Sequence, residues 1–152
     1  MHLSSRSSDP DDAGSAALEF ILMGLLLLVP LVYLIVSLGL IQGQSLGAQA
    51  GARHIARALS TAENPDAARR SADLILRSVI DEYSLDADSV HVSFECRPLG
   101  VSCPEAGSTL MVTIQTRVAL PLVPPVLGLE RLASIPVEAS AAQKVSRFWE
   151  SE

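Results

Sequence analysis

An apolar run near the N-terminus limits what this chain can fold into. The 22 residues from Phe20 to Ile41 carry no charged side chain and are mostly aliphatic. As a helix that rises 1.5 Å per residue, the run is roughly 33 Å long, and the hydrocarbon core of a bilayer is about 30 Å thick. The run therefore predicts one membrane-spanning helix. Pro30 lies near its middle, which predicts either a kink or a tolerated helix proline, but not a break.

Composition excludes several classes of function. The chain has 152 residues, a formal net charge of −6 and only 11 basic residues, and these are scattered, whereas a nucleic-acid binder needs clustered Lys and Arg. His2, His54 and His91 are too far apart for a metal site, and the sequence contains no phosphate-binding or zinc-protease motif. The Gly-x-Ser-x-Gly match at Gly43–Gly47 follows a membrane helix rather than a strand, so we interpret it as accidental. We expect no enzyme, cofactor or metal.

The residues before the apolar run form a recognisable pattern. Gly14 is followed by four small or apolar residues, then Glu19, Phe20 and the run itself. This pattern resembles the processing site of type IV prepilin-like proteins. More narrowly, it resembles TadE-like proteins, the pseudopilins of the tight-adherence (Tad/Flp) pilus system. The resemblance is closest over residues 14–42 and looser through the rest of the chain.

The resemblance implies roles for individual residues. A prepilin peptidase would cut between Gly14 and Ser15, with Gly14 lying extended in its cleft, and the apolar helix would stay attached. Glu19 would then pair with the terminal ammonium of Ser15 in an adjacent subunit, and Phe20 would be the sixth mature residue. The implied partners are other pilin-like subunits, the Tad assembly machinery, the peptidase and the lipid bilayer. Leaders in this family are usually basic, whereas residues 7–13 are acidic.

The orientation of the span does not follow from charge. Arg6 is the only Arg or Lys among the first nineteen residues, which also hold four acidic residues, so the positive-inside rule does not favour a cytoplasmic N-terminus. We still expect that orientation, because residues 42–152 are better explained as an exported domain and long domains translocate largely regardless of charge. The expected location is a bacterial plasma membrane, with the C-terminal domain extracytoplasmic at the pilus or cell surface.

A cleavable secretory signal is an alternative interpretation. Ala48-Gln49-Ala50 is a small-x-small site that would allow cutting before Gly51. The apolar run, however, is longer than the 7 to 15 residues of a signal h-region. We therefore divide the chain into a prepilin-like leader (1–14), a transmembrane helix (15–42) and an exported head domain (43–152).

The head domain is predicted to be α+β. The membrane helix should continue from Gly43 to about Ala62, and a second, amphipathic helix should begin after Asn64 and end near Tyr83. Alternating apolar residues then predict a small antiparallel sheet of about three strands. Pro136 fits an edge position in the third strand. The strands are expected at residues 89–96, 109–120 and 133–142.

Two sets of residues concern packing within this domain. Cys96 and Cys103 predict a disulfide across a hairpin loop if the domain is exported, and free thiols or half of a metal site if it is not. Gly43, Gly47 and Gly51 lie on one helix face, which either permits close helix packing or loosens the helix as it leaves the membrane.

These observations leave three functional interpretations. The first is a TadE-like minor pilin or pilus-assembly protein, a structural component involved in surface adhesion. The second is a single-pass anchored binding or sensor module in which the pattern from Gly14 to Glu19 is coincidental. The third is a secreted domain that begins at Gly51. Phe148 and Trp149 near the C-terminus either dock on partners or pack locally.

Overall fold

The structure is a computed structural model that describes residues 10–98, 103–123, 133–147 and 149. These residues form two helices and three strands, which confirms the predicted α+β class. The chain divides into two compact units between Ser37 and Leu38. The elements are α1 (Pro10–Thr61), α2 (Pro65–Tyr83), β1 (His91–Arg97), β2 (Thr109–Ala119) and β3 (Ser134–Lys144).

Helix α1 has 52 residues and runs through Pro30 without interruption, as predicted. It begins at Pro10, within the segment interpreted above as the leader. Proline is favoured at the first helical position because its φ angle is already helical. Between residues 18 and 40 the large apolar side chains are exposed, apart from a half-buried Tyr33. By length and composition, α1 is the one helix in the described part of the chain that could cross a membrane.

Helix α2 has the bounds that the sequence predicted. The Asn64 side chain accepts a hydrogen bond of 2.9 Å from the Ala67 backbone N–H, which satisfies a donor at the helix start. The helix ends at Tyr83, and the capping residue Ser84 that follows adopts a left-handed conformation with φ 51°. Ala68, Ala72 and Val79 are buried, so the apolar stripe of α2 faces the core.

The three strands form one antiparallel sheet in the order β1-β2-β3. The alternating apolar residues of β2 lie on one face and are fully buried: Leu110, Val112, Ile114 and Val118. Pro136 lies in β3, an edge strand, as predicted, and is paired with Arg117. An edge strand tolerates proline because one side of its backbone needs no partner.

The β1 strand is covered less than β2. Val92, Phe94 and Cys96 point to the same side, yet Cys96 alone is buried and Phe94 is 47% exposed. The reason is position, since β1 lies at the other edge of the sheet and its neighbour on one side is solvent.

One apolar core joins the second half of α1, α2 and the inner face of the sheet. Ala52 and Ile55 of α1 and Ala68 of α2 are buried in this core together with the inward side chains of β2. Trp149 belongs to the same core and is only 5% exposed, so this part of the tail packs locally. Phe148 lies outside the described residues. The opposite face of the sheet is polar: on it Gln115 Nε2 donates to Glu138 Oε2 at 3.0 Å.

Candidate processing and assembly sites

The prepilin-like residues all lie in the first turns of α1. Gly14 and Ser15 have helical backbone, so a peptidase that needs an extended substrate must unwind this end, which helix termini do at little free-energy cost. Glu19 is exposed and has no hydrogen bond or ion pair with any other described residue. Phe20 is 81% exposed. Both side chains are therefore accessible to a partner outside this chain.

The apolar surface of α1 goes all the way around the helix. Five consecutive residues, 25 to 29, expose large aliphatic side chains, and five consecutive positions cover more than one helical turn. A helix that is apolar on every side is stable in a membrane or in the interior of a larger assembly. This surface contrasts with residues 48 to 59, where α1 buries one stripe in the head.

The glycines of α1 differ in what surrounds them. A Cβ atom at Gly47 would lie 2.5 Å from Tyr83 Cγ, and one at Gly51 would lie 2.9 Å from Ile114 Cδ1. The absence of a side chain at Gly47 therefore allows the end of α2 to pack closely against α1, and its absence at Gly51 allows β2 to do so. A Cβ at Gly43 would meet nothing within 4 Å. Two of the three predicted packing glycines thus serve close packing inside one head domain.

A hydrogen bond ties α1 to the end of α2 just after the apolar run. Gln44 Nε2 donates to the carbonyl oxygen of Ser84 at 3.2 Å. The Gln44 Oε1 atom is buried without a hydrogen-bond partner among the described residues. Sequence reasoning missed this contact, because the two residues are 40 positions apart and no local pattern connects them.

Cys96 and Cys103 lie at disulfide distance. Their Sγ atoms are 2.09 Å apart and their Cα atoms 5.5 Å apart. Cys96 is buried at the end of β1, while Cys103 is exposed in the connection to β2. The turn that follows contains Gly107 with φ 76°, a conformation that glycine adopts without steric cost.

Two open clefts lie on the described part of the head. A groove of about 580 Å³ has apolar walls that include Phe94, Leu110 and Trp149, with Arg69 and Asp73 also lining it. A larger cleft of about 920 Å³ has a mixed lining that includes several charged or titratable side chains: Asp86, Asp88, His91, Arg117 and Glu138. Within the described ranges, no three His, Cys, Asp or Glu side chains are grouped so that they could hold a metal ion.

The remaining motif residues are dispersed. His54 is exposed on α1 and His91 is exposed at the start of β1, while His2 lies outside the described residues. Ser45 of the Gly-x-Ser-x-Gly match lies inside α1. A nucleophile elbow needs a strand-to-helix turn at that serine, and this geometry does not supply one.

No protein-family model, curated protein or solved structure matches this chain. Its function is therefore inferred from the residues and geometry described above.

Proposed function

We propose that this chain is a TadE-like minor pilin or pilus-assembly protein, a non-catalytic structural component of a Tad/Flp pilus that serves surface adhesion. The observation that carries the proposal is the dual character of α1. The helix is apolar on all sides from residue 20 to residue 41 and then, without interruption, buries Ala48, Ala52 and Ile55 in the core of a small α+β head. A long apolar helix that also forms part of a compact head resembles the architecture of a pilin.

In this proposal the apolar run crosses the bacterial plasma membrane once. The leader (1–14) is cytoplasmic, the span lies within 15–42, and the head (43–152) is extracytoplasmic. The length of the run, roughly 33 Å as a helix, supports a single crossing. The Cα atoms of Cys96 and Cys103 are 5.5 Å apart, which is within the range that a disulfide requires. A disulfide persists in an oxidising compartment, so this placement supports an extracytoplasmic head.

Processing and assembly involve the start of α1. A prepilin peptidase removes residues 1–14, and Glu19 then pairs with the new ammonium of Ser15 in a neighbouring subunit. Support comes from the environment of Glu19, which is exposed beside the apolar run and has no partner among the described residues. A carboxylate in the middle of a membrane helix costs about 2.5 to 3.5 kcal/mol. A partner from another subunit offsets part of that cost if assembly draws Glu19 into the apolar layer.

The role of Glu19 predicts a defect in assembly rather than in insertion. In the native host, a Glu19→Ala strain should lose most surface adhesion and pili while the protein stays in the membrane, because removing a charge makes the span more apolar. Glu63→Ala, which removes an exposed carboxylate between α1 and α2, is the matched control and should behave as wild type. Normal adhesion of the Glu19→Ala strain, at normal protein level, would show that Glu19 has no assembly role.

A second candidate function is a membrane-anchored binding or sensor module. The apolar groove beside the half-exposed Phe94 favours it, because such a groove fits an apolar side chain of a partner. Deleting the prepilin peptidase of the host separates the two candidates. A pilin-like subunit would keep its leader and fail to support adhesion, whereas an anchored sensor would be unaffected.

A further inference from the structure

Leu122, just after β2, is the most exposed large apolar residue in the described part of the chain. Its side chain is 90% exposed and its backbone has φ 65°. The left-handed region is sterically unfavourable for an L-residue that carries a Cβ. The fold thus holds a leucine outward in an unfavourable conformation, and such outliers often have a function.

The position of Leu122 along the axis of α1, here called its height, follows from two places where α1 meets the sheet, at Ser60 and at Gly51. Both places lie within the unit that begins at Leu38. At the far end of α1, the Ser146 N–H donates to the Ser60 carbonyl at 3.0 Å, and the Val145 N–H donates to the Ser108 carbonyl at 2.9 Å. The start of β2 therefore lies beside Ser60. Nine residues earlier in α1, Gly51 lies against Ile114 of β2.

These two places show in which direction β2 runs along α1 and how far each strand residue advances along the helix axis. Nine residues of α1 rise about 13.5 Å, and the six residues from Ser108 to Ile114 extend about 20 Å, so each strand residue advances about 2.2 Å along the helix. Five more residues bring Ala119 to about the height of Gln44. The chain that leaves β2 emerges beside the end of the apolar run.

The last four residues of the apolar run belong to the same compact unit as the head. Ile41, the last residue of the run, already packs against the apolar core of the head. Residues 118 to 123 are Val, Ala, Leu, Pro, Leu and Val, without a charge. If residues 20–41 span the bilayer, an apolar side chain at this height lies at the boundary between headgroups and acyl chains. Interfacial segments bury their apolar side about 5 to 10 Å into that boundary.

We infer that Leu122 inserts into the outer surface of the same bilayer that α1 crosses, so that the head is held on the membrane at a second point before assembly. This inference rests on the proposed membrane span. The contact is apolar rather than electrostatic, because the cleft beside Ala119 is lined by three carboxylates and one arginine, namely Asp86, Asp88, Glu138 and Arg117. Carboxylates there do not attract anionic lipids.

The test places a tryptophan at this position in the full-length chain. Leu122→Trp and Leu74→Trp proteins are reconstituted in phosphatidylcholine vesicles, with and without bromine on the acyl chains, which quenches nearby indole. Leu74 is the matched control because it is a 67% exposed leucine on α2. Val79 packs at Gly51, and Leu74 comes five residues before Val79 on a helix whose C-terminal end faces the apolar run. Leu74 therefore lies about 7.5 Å further from the run than Val79 does. Trp149 contributes the same background to both proteins.

The Leu122→Trp protein should show blue-shifted emission and lose most of its added fluorescence in brominated vesicles, while the Leu74→Trp protein should lose almost none. Equal quenching of the two, or none in either, would overturn the inference. A blue shift that bromine does not quench and that dilution in lipid abolishes would mean that Leu122 docks on a second copy of the chain, which also overturns it.

Vesicle flotation of the wild type distinguishes failure of the lipid contact from failure of the span. If the wild type floats but the added indole of the Leu122→Trp protein is not quenched, only the lipid contact is disproved. A wild-type chain that does not float disproves the span as well.

Discussion

At the scale of single residues, Gly47 determines how closely α2 approaches α1. A Cβ at this position would lie 2.5 Å from Cγ and 2.6 Å from Cβ of Tyr83. These are atoms near the Tyr83 backbone, so relief requires the end of α2 to move. Gly43, one turn earlier, has open space around it, which makes it a matched control.

Replacing each glycine by alanine should therefore have opposite effects on the stability of the head. Gly47→Ala should lower the free energy of unfolding by about 1 to 3 kcal/mol, the usual cost of overpacking. Gly43→Ala should leave it unchanged or raise it by up to about 1 kcal/mol, because alanine favours the helix. Denaturant unfolding of the detergent-solubilised protein, followed by the fluorescence of buried Trp149, measures both. Equal effects of the two substitutions would mean that Gly47 does not contact α2 as described.

The sequence could predict such residues only in part. Spacing showed that Gly43, Gly47 and Gly51 share a helix face, but it did not show that Tyr83 and Ile114 fill the space at two of them. The tail was ambiguous for the same reason. Trp149 is buried because the chain after β3 returns to the end of α1, where Ser146 bonds to Ser60, and no local pattern encodes a contact between residues that far apart.

At the scale of elements, the bounds of α2 followed from local signals. Asn64 and Pro65 mark its start, and the amphipathic stripe ends at Tyr83. The strands were predicted by alternation, which is reliable for β2 because its inner side chains are covered by both helices. Alternation predicted β1 as a strand but did not show that Phe94 stays half exposed, because a pattern does not distinguish a central strand from an edge strand.

The connection between β1 and β2 is closed by the Cys96–Cys103 pair, and this predicts an effect of reduction. A cross-link restricts the unfolded chain, so the chain loses less conformational entropy when it folds. Reduction of a loop of this length should therefore lower the free energy of unfolding by about 2 to 3 kcal/mol. The measurement is denaturant unfolding with and without reductant, with free thiols counted in parallel. A Cys96→Ser, Cys103→Ser double variant should not respond to reductant. Wild-type protein whose thiols are free in both conditions would contradict the disulfide.

At the scale of the whole molecule, α1 belongs to two environments. From residue 20 to residue 41 its apolar side chains surround the helix, and after Gly47 its small residues form one side of the head core. The sequence predicted both halves, because a long uncharged run and a pattern of small residues are local signals. It did not predict that the helix starts at Pro10, since the acidic leader carries no apolar periodicity. The Gly14–Ser15 bond therefore lies within helical backbone.

The central claim is that the leader is removed while the apolar helix stays joined to the head. Mass spectrometry of the N-terminus, on protein extracted from membranes of the native host, tests it directly. The account predicts a chain that begins at Ser15 and retains the whole of residues 20–41. A chain that begins at Met1 would contradict processing and favour a plain membrane anchor, and a soluble chain that begins at Gly51 would contradict the anchor itself.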